Sequence, residues 1–302
     1  MKKFGKLLAI ALCLGVGTFA LASCDPASQA DSNDITVAIA RPTSSGTRGA
    51  FDELIVNSNG EALEEVAQLA SCVQESGETG TVITAVSGNA NALGYISLGS
   101  VAGNSGIKAI QVNGVDATVA NIQNGSYKLS RPFNLVYAGD LLTSNELAAD
   151  FVKFIESTQG QAIINSEWIG QESDTEEYVA DSYTGTTTSL TLWGSTSVTP
   201  LMNQLVAAYE ELNESTTFDF TVGGGGSGEG ETEALKGQGA IGMISRACEE
   251  ESLNVYKLAD DGIAVIVNAA CPLTNVTIDQ LYDLYANGTF IAVPGPEEES
   301  AE

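Results

Sequence analysis

The segment Gly194-Ser195-Thr196-Ser197-Val198-Thr199-Pro200 joins a β-rich stretch, 190–193, to an apolar repeat that runs from Val198 to Leu212. The repeat has the 3.6-residue spacing of an amphipathic helix, and proline is tolerated in the first turn of a helix. A strand, a turn and a helix in this order leave unpaired backbone N–H groups and hydroxyls at the helix N-terminus, where the helix dipole also favours negative charge. The segment therefore predicts an α/β unit whose turn attracts an anion.

Two further segments have the same design. They are Arg41-Pro42-Thr43-Ser44-Ser45-Gly46-Thr47-Arg48, after a predicted strand at 35–40, and Gly223-Gly224-Gly225-Gly226-Ser227-Gly228-Glu229-Gly230, after a predicted strand at 217–222. Strands and helices alternate along the rest of the chain, which predicts an α/β fold. No nucleophile–base set accompanies the three turns, so the sequence predicts a protein that binds a small oxyanion without reacting with it.

Composition excludes several classes of function. The 302 residues include no histidine, which removes histidine-dependent triads, histidine acid–base catalysis and ordinary zinc sites. We therefore expect no catalytic residue, no metal, no cofactor and no enzyme activity. The formal charge of −27 argues against nucleic acid and anionic lipid headgroups as partners. Because the chain has only 12 basic residues, the arginines beside the turns stand out, namely Arg41, Arg48 and Arg246.

The N-terminus has the pattern of an export signal. Three lysines precede an apolar run, 7–21, and the segment ends in Leu21-Ala22-Ser23-Cys24. This pattern predicts a lipoprotein signal peptide over 1–24 and a lipid such as palmitate on Cys24. A transmembrane anchor is the alternative, but the apolar run is short and a small-residue cleavage site follows it. We expect a flexible tether over 25–34.

Other local patterns complete the organisation. Residues 166–189 are acidic and rich in serine and threonine, which predicts a linker with little apolar surface to bury. Thr143-x-x-Glu146 and Thr277-x-x-Gln280 are capping boxes that predict helix starts. We also expect a helix around 62–73 and a disordered acidic tail over 293–302.

Two sets of motifs resemble a known family. One set resembles the N-terminal half of the phosphate-binding protein of the bacterial phosphate ABC importer: residues 194–201, the turn that ends in Ser227-Gly228, Gly242-x-x-Ser245-Arg246, and 261–268. The other set resembles the C-terminal half of the same protein: Arg41-x-x-x-Ser45-Gly46-Thr47-Arg48-x-x-Phe51, residues 93–99, Tyr127-x-Leu129-x-Arg131-Pro132-Phe133, and Phe154-x-x-Ser157-x-x-Gly160-Gln161. Together the two sets cover most of the chain.

The two halves stand in reversed order. The chain therefore resembles a circular permutant in which 166–189 joins the termini of the family, a rearrangement that proteins tolerate when their termini are close in space. Two half-modules that pair with a partner chain instead of with each other are the alternative. The resemblance stops after Gly288-Thr289-Phe290, where relatives continue into an Asn-Trp segment that is missing here.

The resemblance implies a two-lobed periplasmic-binding-protein-like fold of type II, with a hinge and with the ligand in the cleft. One lobe would combine 35–128 with 269–292, and the other would span 129–268. The implied function is that of an extracytoplasmic substrate-binding lipoprotein. It would bind inorganic phosphate and deliver it to the membrane permease subunits of an ABC transporter, held by its lipid at the cell membrane.

The resemblance implies that the ligand contacts of the family correspond to residues in all three turns and in the Ser245-Arg246 motif. The implied phosphate-binding residues are Arg41, Ser45, Gly46, Thr47, Thr196, Ser197, Ser227, Gly228, Ser245 and Arg246. Plain helix caps would also explain isolated hydroxyls, and a surface ion pair would explain Arg246 equally well. Distant relatives place an aspartate where Ser245 falls, as acceptor for the phosphate proton. The resemblance thus implies imperfect discrimination against sulfate, with Asp261 as a candidate substitute acceptor.

Other functions stay open at this point. The cleft could bind a different tetrahedral oxyanion such as sulfate. The chain could also be a non-transporting surface interaction lipoprotein whose cleft has degenerated after rearrangement, which the missing Asn-Trp segment would favour. Phosphatase activity is disfavoured because the chain has no histidine and no metal cluster in its pattern.

Overall fold

The computed structural model describes residues 33–171, 176–237 and 239–293, in which strands alternate with helices. The strands are β1 (Val37–Ala40), β2 (Val73–Glu75), β3 (Ala92–Ser97), β4 (Ile107–Ala109), β5 (Gln111–Val112), β6 (Ser130–Ala138), β7 (Ser189–Gly194), β8 (Asp219–Gly223), β9 (Ala240–Ile244), β10 (Leu253–Asn268) and β11 (Asn275–Val276). The helices are α1 (Gly46–Leu54), α2 (Thr79–Ser87), α3 (Val119–Gln123), α4 (Leu141–Ser144), α5 (Glu146–Glu156), α6 (Thr158–Glu167), α7 (Thr199–Leu212), α8 (Ser227–Leu235) and α9 (Ile278–Tyr282). The mixed α/β class predicted from the sequence is confirmed.

One mixed sheet of nine strands runs through the described part of the chain. Its order is β2-β1-β3-β10-β6-β9-β7-β8, and β4 also pairs with β10. β1 is parallel to β2 and β3, and β7 is parallel to β8 and β9. β10 lies in the middle of the sheet and is antiparallel to β3, β4 and β6. Its last residues pair with β3 and β4, whereas residues 253–257 and 259–262 pair with β6.

Two sets of hydrophobic cores divide the molecule into two lobes. Lobe A has cores built from side chains within 35–129 and 263–293. Lobe B has cores built from side chains within 133–259. The chain crosses between the lobes at the paired strands β6 and β10, where Ser130 lies opposite Gly262. These two central strands therefore form the connection between the lobes.

The lobe boundary on β10 differs from the expected one. Ile263, Val265 and Val267 pack into the core of lobe A, although the sequence assigned everything up to residue 268 to the other lobe. The physical reason is the length of β10, a single strand that contributes its two ends to different cores. The lobe change falls near residue 261, inside an uninterrupted strand, so no turn marks it in the sequence.

The described residues of the segment 166–189 pack against lobe B. Tyr178 and Tyr183 are buried in the core of lobe B. The hydroxyls of Tyr178 and Tyr209 both donate hydrogen bonds to the Asp150 carboxylate, and the bond from Tyr209 is 2.7 Å long. Trp168 is also buried, so the expectation that this segment has little to bury is wrong. Aromatic side chains bury large apolar areas even in a segment of polar average composition.

One predicted helix start is confirmed, and two other local predictions are wrong. Thr277 and Gln280 form the predicted capping box of α9, and Gly288 ends the following π-helical turn in the left-handed conformation, with φ of 73°. The capping box at Thr143 is wrong, because α5 begins at Glu146 and the Asn145 side chain accepts its capping bond from the Ala148 N–H. The expected helix around 62–73 is also wrong. That stretch contains only a 3₁₀ turn at Leu63–Glu65.

Several predicted segments lie outside the described residues. They are the signal peptide, Cys24, nearly all of the tether and nearly all of the acidic tail. Among the helices that the structure describes, none has both the length and the apolar character needed to cross a membrane.

Candidate anion-binding site

The three predicted turns meet between the lobes. Ser45 precedes α1 in lobe A, and its side chain makes no capping hydrogen bond. In lobe B, Ser197 precedes α7, and Ser227 is the first residue of α8. All three serines are buried. A plain capping role therefore does not account for Ser45, and the turns present hydroxyls and first-turn N–H groups to a common space.

Hydrogen bonds join the two lobes directly at this place. Thr47 Oγ1 lies 2.9 Å from Ser197 Oγ. Arg41 Nη2 donates to Thr196 Oγ1 at 3.0 Å. The Gly228 N–H donates to the Ser44 carbonyl at 3.3 Å. The lobes are thus closed on each other over the turns, and we call the enclosed set of groups the cage: Arg41, Ser45, Gly46, Thr47, Thr196, Ser197, Ser227 and Ser245.

Gly46 lies at the tightest point of this closure. A Cβ atom built on Gly46 would lie 2.9 Å from Ser245 Oγ and closer still to Ser227 Oγ. Both serines belong to lobe B and are completely buried. A side chain at position 46 is therefore incompatible with the closed arrangement.

Arg41 is a buried cation without an acidic partner among the described residues. Its side chain is enclosed to all but 2% of its surface. Its guanidinium donates to Thr79 Oγ1, the Gly77 carbonyl and Thr196 Oγ1, while its Nε has no partner in the described structure. Burial is the main cause that lowers the pKa of Arg41 to about 10; Arg131 acts in the same direction, whereas Tyr95 and Glu78 oppose it. The group therefore stays charged at neutral pH.

Three serines of lobe B form a connected group in the cage. Ser195 Oγ donates to Ser245 Oγ at 2.9 Å. The Ser245 N–H donates to Ser227 Oγ at 3.0 Å, and the Ser227 and Ser245 hydroxyls are 3.4 Å apart. Ser195 was not among the predicted contacts, although it lies in the predicted Ser-Thr-Ser run. Its position beneath Ser245 makes it a supporting residue for the cage.

A buried ion pair behind Ser245 was missed by sequence reasoning. Arg131 Nε and Nη2 donate to Asp261 Oδ2 at 3.3 and 3.2 Å, and these two residues face each other across β6 and β10. Arg131 Nη1 continues to Ser245 Oγ at 3.3 Å, while Ser97 Oγ donates to Asp261 Oδ1 at 2.8 Å. Burial raises the pKa of the Asp261 carboxyl to about 6, against the opposing effects of Arg131 and Ser97. Both Asp261 oxygens are therefore engaged, so Asp261 is linked to the cage only through Arg131.

Arg246 lies at the edge of the site with its guanidinium turned to acidic residues. It donates to both carboxylate oxygens of Glu231, at 3.0 and 2.9 Å, and is 3.3 Å from Glu249. Of the two readings that the sequence left open, this geometry corresponds to the ion pair. Gly228, a predicted contact, uses its N–H on Ser44, which places it at the lobe contact.

A cavity of about 700 Å³ lies beside the cage, between the lobes. Thr79 and Thr196 line it and also hydrogen-bond Arg41. The described residues contain no group of three or more histidine, cysteine, aspartate or glutamate side chains placed to hold a metal ion. The arrangement can therefore bind an anion with hydroxyl, N–H and guanidinium donors.

Two α/β lobes joined by central strands, with polar turns that meet between them, define the class of substrate-binding proteins with a periplasmic-binding-protein fold. In agreement, residues 181–293 match the family model described as PBP superfamily domain. The chain is 36% identical over 293 residues to phosphate-binding protein PstS 2 of Streptococcus pneumoniae serotype 4, covering 94% of this chain and 96% of that protein. It is 33% identical over 292 residues to PstS 2 of Streptococcus agalactiae serotype V, covering 95% and 96%.

A solved structure gives the same result. The crystal structure of a phosphate ABC transporter phosphate-binding protein from Streptococcus pneumoniae TIGR4 matches with a TM-score of 0.62 and 36% identity, over 85% of this chain and 97% of that one. The chain belongs to the PstS family of phosphate-binding proteins. The order of its halves relative to other members of the family stays a prediction.

Proposed function

We propose that this chain binds inorganic phosphate in the cage and delivers it to the permease of an ABC importer. The observation that carries the proposal is Arg41, a charged guanidinium that is 2% exposed and has no carboxylate in ion-pair distance among the described residues. Leaving a buried charge uncompensated costs about 3–5 kcal/mol. An anion in the cage supplies the missing negative charge and accepts from the unpaired Nε.

Lobe closure gives the proposed binding its selectivity for a small ligand. Arg41 and Thr47 lie in lobe A, whereas Thr196, Ser197 and Ser227 lie in lobe B. A tetrahedral oxyanion that exchanges its water shell for donors from both lobes holds the lobes together. The hydroxyls and N–H groups are fixed by the helix starts that carry them, so little reorganisation is needed on binding.

We infer that no chemistry follows binding. The chain has no histidine to act as a base, and the cage side chains are hydroxyls and a guanidinium. The family names of the relatives, which describe binding proteins, support this reading. We further propose that Cys24 carries a lipid that holds the protein at the extracytoplasmic face of the membrane, where it meets the permease. The convergence of the three turns supports a working cleft over a degenerate one.

Calorimetric titration of the purified protein with phosphate, sulfate and a phosphate ester tests the proposal. Arg41→Ala is expected to weaken phosphate binding at least about tenfold, because hydrogen bonds to charged groups contribute roughly 1.5–3 kcal/mol. Ser227→Ala should weaken it somewhat less. Lys236→Ala serves as the control, since it removes one positive charge from an exposed ion pair with Glu233. Absence of phosphate binding, or unchanged affinity in Arg41→Ala, would overturn the proposal.

A further inference from the structure

We propose that the Arg131–Asp261 pair fixes the Ser245 hydroxyl as a hydrogen-bond donor, so that the cage prefers the less protonated form of its ligand and admits sulfate as a competitor. The proposal rests on phosphate binding in the cage. It assigns to Arg131, a residue outside the turns, a positioning role that determines specificity.

The Ser245 hydroxyl has a limited hydrogen-bonding capacity. A hydroxyl has one hydrogen to donate and two lone pairs to accept with. Ser195 Oγ donates to Ser245 Oγ at 2.9 Å, and Arg131 Nη1 donates to it at 3.3 Å. Both lone pairs are thus occupied by fixed donors. The remaining hydrogen can point only to Ser227 Oγ or to an anion in the cage, so Ser245 cannot accept a proton from the ligand.

Arg131, one of the two donors to Ser245, is held rigidly. Arg131 is 4% exposed and Asp261 is 1% exposed. Asp261 receives Arg131 through two nitrogens and is itself held by Ser97. Arg131 therefore cannot turn away from Ser245 without leaving the Asp261 carboxylate buried and unpaired, which is strongly unfavourable. The pair sits on neighbouring central strands at the lobe crossing, so its geometry is set by the sheet.

Among the described residues, the positive charges that surround the cage are paired, except for that of Arg41. Arg131 and Asp261 balance each other, as do Arg48 with Asp52 and Arg246 with Glu231. Glu78 lies near Arg41 but makes no ion pair with it in the described structure, so the Arg41 charge remains available. No carboxylate among the described residues hydrogen-bonds a cage hydroxyl. The charge of Arg41 therefore favours the dianion HPO₄²⁻ over H₂PO₄⁻, and Ser245 offers no free lone pair to the second proton of H₂PO₄⁻.

The test compares phosphate with sulfate in wild-type protein across the second ionisation of phosphate. Phosphate affinity should rise about tenfold or more from the acidic to the basic side, since the dianion gains at least one charge-assisted hydrogen bond. Sulfate stays a dianion over the whole range, so its profile reports only titration of the protein, including Asp261. The ratio of the phosphate affinity to the sulfate affinity therefore reports the effect of the proton on phosphate alone. Sulfate should also compete measurably with phosphate when it is in high excess.

Variants test the role of Arg131. Ser245→Asp supplies an acceptor that Arg131 can still hold, and it should lower sulfate binding at least about tenfold more than phosphate binding. Arg131→Gln combined with Asp261→Asn removes both charges together and frees a lone pair on Ser245, so the pH dependence of phosphate binding should flatten. Lys236→Ala, in the exposed ion pair with Glu233, should leave the profile unchanged. If the double variant does not fold, the wild-type profiles and Ser245→Asp still decide the question.

Failure of this inference can be told apart from failure of the proposed function. Protein that binds neither anion would refute phosphate binding itself. Protein that binds phosphate with an affinity independent of pH, or that excludes sulfate completely, would keep the proposed function and overturn the role of Arg131 and Ser245.

Discussion

Gly46→Ala is expected to weaken ligand binding while leaving the fold intact. Gly46 opens α1 in lobe A, and its added Cβ would lie 2.9 Å from Ser245 Oγ in lobe B and closer still to Ser227 Oγ. Real Cβ atoms essentially never come within 3.0 Å of another heavy atom, so either the lobes separate or the serines move. The serines are fully buried and hydrogen-bonded to each other, so separation of the lobes is the easier response.

The loss of affinity in Gly46→Ala depends on whether the closed state alone carries the strain. Overpacking of a close contact costs about 1–3 kcal/mol, which corresponds to roughly 5- to 150-fold in affinity if only the closed state carries the strain. The open state and the separate lobe cores are unaffected. Alanine is also a better helix former than glycine. The thermal midpoint of the ligand-free protein should therefore stay unchanged or rise while phosphate affinity falls.

Gly49→Ala provides a matched control within the same helix. A Cβ atom on Gly49 meets only Arg246 Cδ, at an ordinary contact distance of 3.8 Å. Calorimetric titration with phosphate and thermal unfolding of the wild type and both variants separate binding from stability. If Gly46→Ala bound phosphate as tightly as the wild-type protein, the closed contact between Gly46 and the two serines would play no part in binding.

Two further predictions concern the edge of the site and the bridging segment. Arg246→Ala is expected to reduce phosphate affinity far less than Arg41→Ala, because Glu231 and Glu249 hold the Arg246 guanidinium; an equal loss in the two variants by calorimetry would return Arg246 to the site. Cleavage at a protease site inserted near Asp174 is expected to give two fragments that co-migrate on gel filtration and still bind phosphate, because Trp168 and Tyr178 stay packed on either side of the cut. Fragments that separate, or intact protein that binds only as a dimer with exchanged halves, would instead favour paired half-modules.

The sequence predicted the part of the cage that local geometry determines. Ser45, Ser197 and Ser227 lie at helix starts, and a helix start is set by residues within a few positions of it. The error at Thr143 is of the same kind, since Asn145 caps α5 where Thr143 was expected. Both residue types cap helices well, so the pattern alone could not choose between them.

Arg131 could not be found in this way because its role depends on a contact between distant residues. Its partner Asp261 is 130 positions away and becomes its neighbour only when β6 pairs with β10. A signal did exist, because each of these charged residues stands within or beside an apolar strand, and charged side chains are almost never fully buried unless paired. Trp168 also makes a contact between distant residues that the sequence pattern could not predict. It packs against Gly99 in the other lobe so closely that a Cβ atom built on Gly99 would lie within 2.6 Å of the indole ring.

The positions of the chain ends bear on the proposed order of the halves. Ile35 and Ile291 exchange two backbone hydrogen bonds, of 2.9 and 3.1 Å, so both ends of the described chain lie side by side in lobe A. Both sides of the bridging segment, α6 and β7, lie in lobe B. If residue 33 were joined to residue 293 and the chain were cut within 166–189, the order of the elements would change but their positions would not. Circular permutation is tolerated under this condition. The bonds from Arg41 to Thr196 and from Thr47 to Ser197 join the two halves within one chain, which favours a permuted single chain over half-modules that need a partner.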